Sequence, residues 1–221
     1  MKKFFVAIRQ QKIDEVKTML EKKPELISCT AKQPPKKDDG QSPLQVAIKS
    51  SKKNYEIVHL LLDLGTDVNF IEDESCCNKW RAPVLHDAIM AAVYCARRTT
   101  EDYFTKEVVI TGTKEEANNA YQVLKRVLEM GADVHQVDSF GNSGLARVLG
   151  DASIFLPNYN YVENTMSKAP VSIEQIEDLK EIFDLLFSYG ANIDQYSLNF
   201  KMTLREFYQK QYVMKIIKEY L

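Results

Sequence analysis

No run of about 18 apolar residues, the length a helix needs to cross a bilayer, occurs anywhere in the sequence. The opening Met1-Lys2-Lys3-Phe4-Phe5-Val6-Ala7-Ile8-Arg9 is basic, but Arg9 ends its apolar stretch too early for the core of a signal peptide. Cysteine is sparse. Cys29, Cys76, Cys77 and Cys95 lack the dense spacing of a secreted disulfide framework, and the adjacent pair is not a zinc-type Cys-x-x-Cys. A reducing, cytoplasmic setting is therefore expected, with no membrane association. Glycine is scarce as well: the 8 present form no phosphate-cradling loop, and neither a nucleophile elbow nor a kinase-type set of motifs occurs. Charge of one sign is not in excess either, since the formal net charge is -2. That balance argues against a dedicated nucleic-acid binder.

What is present suits a globular chain. Hydrophobic residues make up 45% and charged residues 27% of 221 positions, enough to bury a core without disulfides or metals. The charges are unevenly spread: 13 basic and 6 acidic residues lie up to Lys53, against 16 and 25 beyond it. The Lys36-Lys37-Asp38-Asp39 and Lys52-Lys53 clusters read as solvated loop charges, because no aromatic residues interleave with them to form a nucleic-acid surface.

Three glycines disclose an internal repeat. Gly65 leads Thr66-Asp67-Val68-Asn69, Gly131 leads Ala132-Asp133-Val134-His135, and Gly190 leads Ala191-Asn192-Ile193-Asp194. Upstream of each lies the same apolar stripe: Ile57, Val58, Leu61, Leu62; Val123, Leu124, Val127, Leu128; Ile182, Phe183, Leu186, Phe187. Spacing of i, i+1, i+4, i+5 marks one face of a helix, and the glycine supplies the left-handed residue that ends it. A preceding shorter helix recurs too, in Gly40-Gln41-Ser42-Pro43-Leu44, in Ala82-Pro83-Val84-Leu85-His86-Asp87-Ala88 and in Gly141-Asn142-Ser143-Gly144-Leu145. Ser42 is placed to cap the first of these, with Pro43 in its first turn, where a missing N–H is harmless.

These residues resemble the ankyrin repeat, whose usual pattern is Gly-x-Thr-Pro-Leu-His-x-Ala at the first helix and Leu-Leu-x-x-Gly-Ala-Asp-Val at the end of the second. The resemblance implies an all-α solenoid of paired antiparallel helices with hairpin-like loops, forming one domain over 1–221. Its units are an N-terminal cap at about 2–30, repeats at about 38–71, 80–137 and 138–196, and a C-terminal cap at about 202–221. The glycines stand 66 and 59 residues apart, where an uninterrupted array repeats about every 33. The excess lies between paired helices, as two long insertions at 97–114 and 152–172. At the C-terminal end Leu204, Phe207, Tyr208, Val213, Ile216 and Ile217 are expected to cover the last repeat.

Function follows from the resemblance as a non-catalytic protein–protein interaction module, without cofactor or metal, binding an unknown protein through the concave face and the inserted loops. No enzyme activity is expected, and a monomer is favoured over a homo-oligomer. Small bacterial ankyrin proteins, some of which neutralise toxins or act on host proteins, look similar, so an immunity or inhibitor role is an alternative. A second alternative is an enzyme or metal site on the insertions; outside them, Cys76, Cys77, Cys95 and His86 are the residue types of a zinc site, but their spacing fits no known ligand pattern. The three histidines, His59, His86 and His135, occupy different repeat positions, and His86 falls where the family carries a structural histidine. Carried onto this sequence, the concave face comprises loop residues Trp80, Arg81 and Phe140 with helix positions Lys49, Asp87, Met90 and Arg147. Val46, Gly150, Glu206 and Gln209 hold equivalent places. Trp80 beside Arg81 is the strongest candidate anchor, since Trp and Arg dominate interface energetics.

Overall fold

The computed structural model describes residues 1–221 apart from Lys52, Lys53 and Tyr103, so the Lys52-Lys53 cluster lies outside the described residues. Helices dominate. A first layer holds α1 (Lys2–Arg9), α3 (Pro43–Ser50), α5 (Val84–Cys95) and α7 (Gly144–Ile154), each packed on the next. A second layer holds α2 (Ile13–Lys22), α4 (Glu56–Asp63), α6 (Lys114–Glu129) and α8 (Ile173–Ser188), again in serial contact. Every second-layer helix also packs on the first-layer helix before it in the chain. At the C-terminal end, α9 (Leu204–Tyr208) is followed by α10 (Val213–Ile216), which lies on α7 and α8.

Local sequence explains the helix ends. Ser42 Oγ accepts the Gln45 N–H at 3.2 Å while Gln45 Oε1 accepts the Ser42 N–H at 3.0 Å, a reciprocal cap with Pro43 just inside it. Thr113 with Glu116 and Thr203 with Glu206 do the same for α6 and α9, and Ser143 and Ser172 cap α7 and α8. The glycines that close α4, α6 and α8 all have positive φ, as their role requires. The apolar stripe upstream of them is buried at every position except Phe187, which is half-buried and stacks on Tyr220 with ring centroids 4.1 Å apart.

Where an all-α fold was expected, the fold is helix-rich, and the described residues also form three two-stranded antiparallel hairpins. In the first insertion β1 (Arg98–Glu101) pairs with β2 (Val108–Thr111), where Val108-Val109-Ile110 supplies β-branched side chains suited to a pleated ribbon. The second insertion carries β3 (Tyr159–Asn160) and β4 (Thr165–Met166), and β5 (Tyr196–Ser197) with β6 (Met202–Thr203) leads into α9. Two expectations need correction. Asp38 is buried rather than solvated, because the Arg9 guanidinium from α1 meets it at 2.7 Å. Phe207 is exposed; its ring stacks on Phe200 at 3.9 Å instead of entering the core with Leu204, Tyr208, Val213, Ile216 and Ile217.

Gly40 opens the turn before α3 with φ +83°, and a Cβ there would lie 2.5 Å from Cys76 Cβ. Gly65 also has positive φ, but a Cβ on it meets nothing within 4 Å. Gly40→Ala should therefore lower stability by more than the roughly 1–2 kcal/mol of left-handed backbone strain, whereas Gly65→Ala should show that strain alone. Urea unfolding midpoints of the two variants check this, and equal midpoints would contradict the close approach to Cys76.

Candidate functional site

The seven positions singled out in the sequence lie on α3, α5 and α7 and in the loops that lead into α5 and α7. Trp80, half-buried in the loop before α5, is their centre. Its indole Nε1–H donates to Asp138 Oδ2 at 2.9 Å, which fixes the ring edge-on to the next loop. Asp138 in turn accepts the backbone N–H groups of Phe140 and Asn142, both at 2.9 Å, and so organises the turn that carries Phe140. Burial acts to raise the Asp138 pKa, but these hydrogen bonds outweigh it and hold the carboxyl below its ordinary value.

Two cations flank the indole face. The Arg147 guanidinium of α7 lies 5.0 Å from the ring centroid and the Lys49 ammonium of α3 lies 5.9 Å from it, both within cation–π range. Each cation stands over a buried carboxylate. Lys49 Nζ is 3.1 Å from Asp87 Oδ1, and Arg147 Nε donates to Asp151 Oδ2 at 2.7 Å. The side-chain exposures are 28% and 23% for the cations but 0% and 7% for the carboxylates, so the positive groups are the ones offered to solvent. Burial pushes the Asp87 carboxyl up to about 6 despite Lys49, and raises Asp151 as well despite Arg147.

Asp87 thus corrects the sequence expectation of an outward residue, and so does Val46: α3 packs against α5 over both of them, leaving Asp87 as an internal counter-charge. Lys49, Trp80, Asp87 and Arg147 are brought together; Met90 joins them by lining, with Lys49 and Asp87, an open groove of about 390 Å³ between α3 and α5. Arg81 is half-buried, its backbone N–H donating to Ser139 Oγ at 3.1 Å and its side chain reaching Glu74 at 3.3 Å. Phe140 is 55% exposed at the rim. Gly150 is half-buried, and Glu206 and Gln209 are exposed.

Sequence reasoning missed a neighbouring patch. Tyr94, near the end of α5, lines the same groove and meets Phe155 edge-to-face at 5.1 Å, and the Arg98 guanidinium covers that ring at 4.5 Å. Arg98 Nε has no hydrogen-bond partner. Phe155 falls in the second insertion, 152–172, and nothing local to Arg98 signalled that the two would meet.

The residues of the metal alternative are dispersed. His86 is fully buried in α5, Cys95 sits at the far end of that helix with Sγ 3.5 Å from the Tyr55 hydroxyl, and Cys76 and Cys77 lie beside Lys36, Asp39 and Asn78. Among the described residues no three His, Cys, Asp or Glu side chains gather as a metal site. His59 contacts Arg126 at 2.9 Å on α6, and His135 occupies the loop after α6, so the histidines do not converge. No helix among the described residues is long and apolar enough to cross a membrane.

The stacked helix pairs, glycine-ended second helices and linked loop tips define a repeat protein. The family model described as Ankyrin repeat matches residues 39–73, which contain α3 and α4. No curated protein matches the chain. The match makes residues 39–73 an ankyrin repeat, a family whose repeats generally mediate protein–protein interaction and are typically non-catalytic.

Proposed function

We propose that the chain is a non-catalytic, cytoplasmic protein–protein interaction module: one ankyrin solenoid over 1–221, with repeats at about 38–71, 80–137 and 138–196 between two caps. It binds a protein partner through the concave face formed by α3, α5 and α7, assisted by the insertions. The observation that carries this reading is Trp80, half-buried and held between Lys49 and Arg147 at the centre of a face with an adjoining apolar groove. An aromatic anchor ringed by partly exposed charge is the composition of an interface hot spot. The serial contacts of both helix layers support the solenoid, and so do the loop tips: Asn69 Nδ2 donates to the Gly131 carbonyl at 2.9 Å and Asn69 Oδ1 accepts the Asp133 N–H at 2.8 Å.

Affinity capture from the native lysate tests the reading with three forms of the full chain: wild type, Trp80→Ala and Lys49→Glu. Because Lys49→Glu sets a second carboxylate over the buried Asp87 and Trp80→Ala removes the bond to Asp138, circular dichroism first checks that each variant keeps the wild-type fold. A stoichiometric partner held by the wild type and weakened by about thirtyfold, the size of a hot-spot loss, in both variants is expected. A partner held equally by all three moves the site off this face.

A further inference from the structure

Across α3, α5 and α7 the two carboxylates of this face, Asp87 and Asp151, are internal, while the cations paired with them are partly exposed. Lys49 and Arg147 keep 28% and 23% of their side chains exposed above Asp87 and Asp151, and half-buried Arg98 lies over Phe155, its buried Nε without a hydrogen-bond partner among the described residues. Among the described residues, Arg147 uses only Nε in hydrogen bonding, leaving its two terminal nitrogens to an incoming group. Beside Lys49 lies the groove, whose walls include Ile48, Met90, Ala91 and Tyr94, and Tyr94 meets the Phe155 ring that Arg98 covers. A ligand that fits must therefore bring negative charge at two or three points and an apolar side chain between them.

We propose that this face takes an acidic peptide segment bearing an aromatic or aliphatic anchor: its carboxylates meet Lys49, Arg147 and Arg98, and its anchor enters the groove between α3 and α5. The proposal rests on the reading of this face as the binding surface and names the chemistry of its partner. A basic segment fits less well. It would have to reach Asp87, whose side chain is wholly buried beneath Lys49, and would meet three cations on the way.

Proton linkage gives the two occupants opposite signatures. Asp87 faces Lys49 from α3, Glu72 from the loop after α4 and Arg147 from α7, and its carboxyl titrates at about 6. Protonation of Asp87 releases the Lys49 ammonium from its internal partner, so an acidic ligand binds more tightly as pH falls through that value, while the ligand's own carboxylates stay ionised above about pH 5. A basic ligand weakens over the same range.

Panning a phage-displayed random dodecapeptide library on the immobilised full chain at about pH 7, followed by titration of the enriched peptides, tests this. Enrichment of Asp and Glu beside aromatic or aliphatic residues is expected, with affinity lowered about thirtyfold by Arg147→Gln or Lys49→Gln, which remove the positive charge without setting a second carboxylate over Asp151 or Asp87. Binding should tighten toward about pH 5.5 in the wild type and lose that dependence in Asp87→Asn. Lysine- or arginine-rich peptides, uncharged peptides, binding that weakens on acidification, or no enrichment would each overturn the acidic class. If such non-acidic peptides are nevertheless lost with Trp80→Ala, the face remains the binding surface and only the partner chemistry fails. Acidic peptides indifferent to Lys49, Trp80 and Arg147 would overturn both.

Discussion

Asp178→Ala is expected to destabilise the protein by about 3–5 kcal/mol, the usual consequence of removing one member of a buried ion pair, and to release the first insertion from the body. Asp178 sits in α8 with a side chain only 3% exposed, yet it accepts four hydrogen bonds from the insertion's two ends. Arg97 contributes its backbone N–H at 2.9 Å, Nε at 3.0 Å and a terminal nitrogen at 2.8 Å; Lys114 contributes Nζ at 3.0 Å. Removing the carboxylate strands a guanidinium that is itself only 15% exposed. Burial alone would raise the Asp178 pKa, but the Arg97 and Lys114 bonds hold it below the ordinary value. Its stabilisation is thus complete at neutral pH and lost only as pH falls beneath the normal carboxylate range toward the lowered value. Thermal unfolding should show a drop on the order of 10 °C for a chain of this size, and limited proteolysis should cut between β1 and β2 faster than in the wild type. An unchanged melting temperature with unchanged cleavage would show that Asp178 does not hold the hairpin. Gln175 gives the docking a second point, accepting the Thr99 N–H at 3.0 Å and donating to the Phe155 carbonyl at 2.8 Å, so Asp178→Asn should show the smaller effect of a neutral replacement.

This attachment marks the boundary of what could be read from the chain. The second-layer helices were legible because two local constraints coincide: an apolar stripe that must face inward, and a glycine that must adopt positive φ one turn later. Ser42-Pro43 was legible for the same reason, since its capping geometry involves only the next three residues. Arg97 and Asp178 are 81 positions apart, and neither carries a periodic or capping signal that names the other. The β-branched run Val108-Val109-Ile110 was visible, but strand pairing needs a partner strand, and Arg98-Thr99-Thr100-Glu101 has no alternation to announce one. At the candidate site, register placed Lys49, Trp80, Asp87, Met90 and Arg147 in one neighbourhood, and two of these, Lys49 and Arg147, converge on the Trp80 ring, Lys49 reaching Asp87 as well. Register could not say that Asp87 would be covered, because that depends on how closely α3 approaches α5 and on where the flexible Lys49 side chain comes to rest.

His86 and Asp87 are neighbours on α5, both buried, and burial drives their titrations in opposite directions. Desolvation lowers His86 to about 4, despite the nearby Asp138 carboxylate, and neither ring nitrogen makes a well-formed hydrogen bond, with only a weak approach to the Gln136 backbone. A depressed histidine contributes stability that is complete above its unfolded pKa near 6.5 and is lost as pH falls toward about 4, by about 3 kcal/mol in all. Asp87 runs the other way. With its carboxyl raised to about 6, the folded state holds the proton that the unfolded chain releases, so its unfavourable charge is relieved as pH falls from about 6 toward the unfolded value near 4, a gain of about 3 kcal/mol. The two slopes oppose each other over nearly the same window, so the joint contribution of the pair is nearly flat there. Asp87→Asn removes one slope and should make the protein lose stability between about pH 6.5 and about pH 4.5 relative to wild type; His86→Gln should make it gain. Urea midpoints of the three proteins at those two pH values measure both effects. Comparison with the wild type cancels every carboxylate elsewhere in the chain, so parallel pH dependences in all three would mean that neither group is held in the protonation state its burial demands.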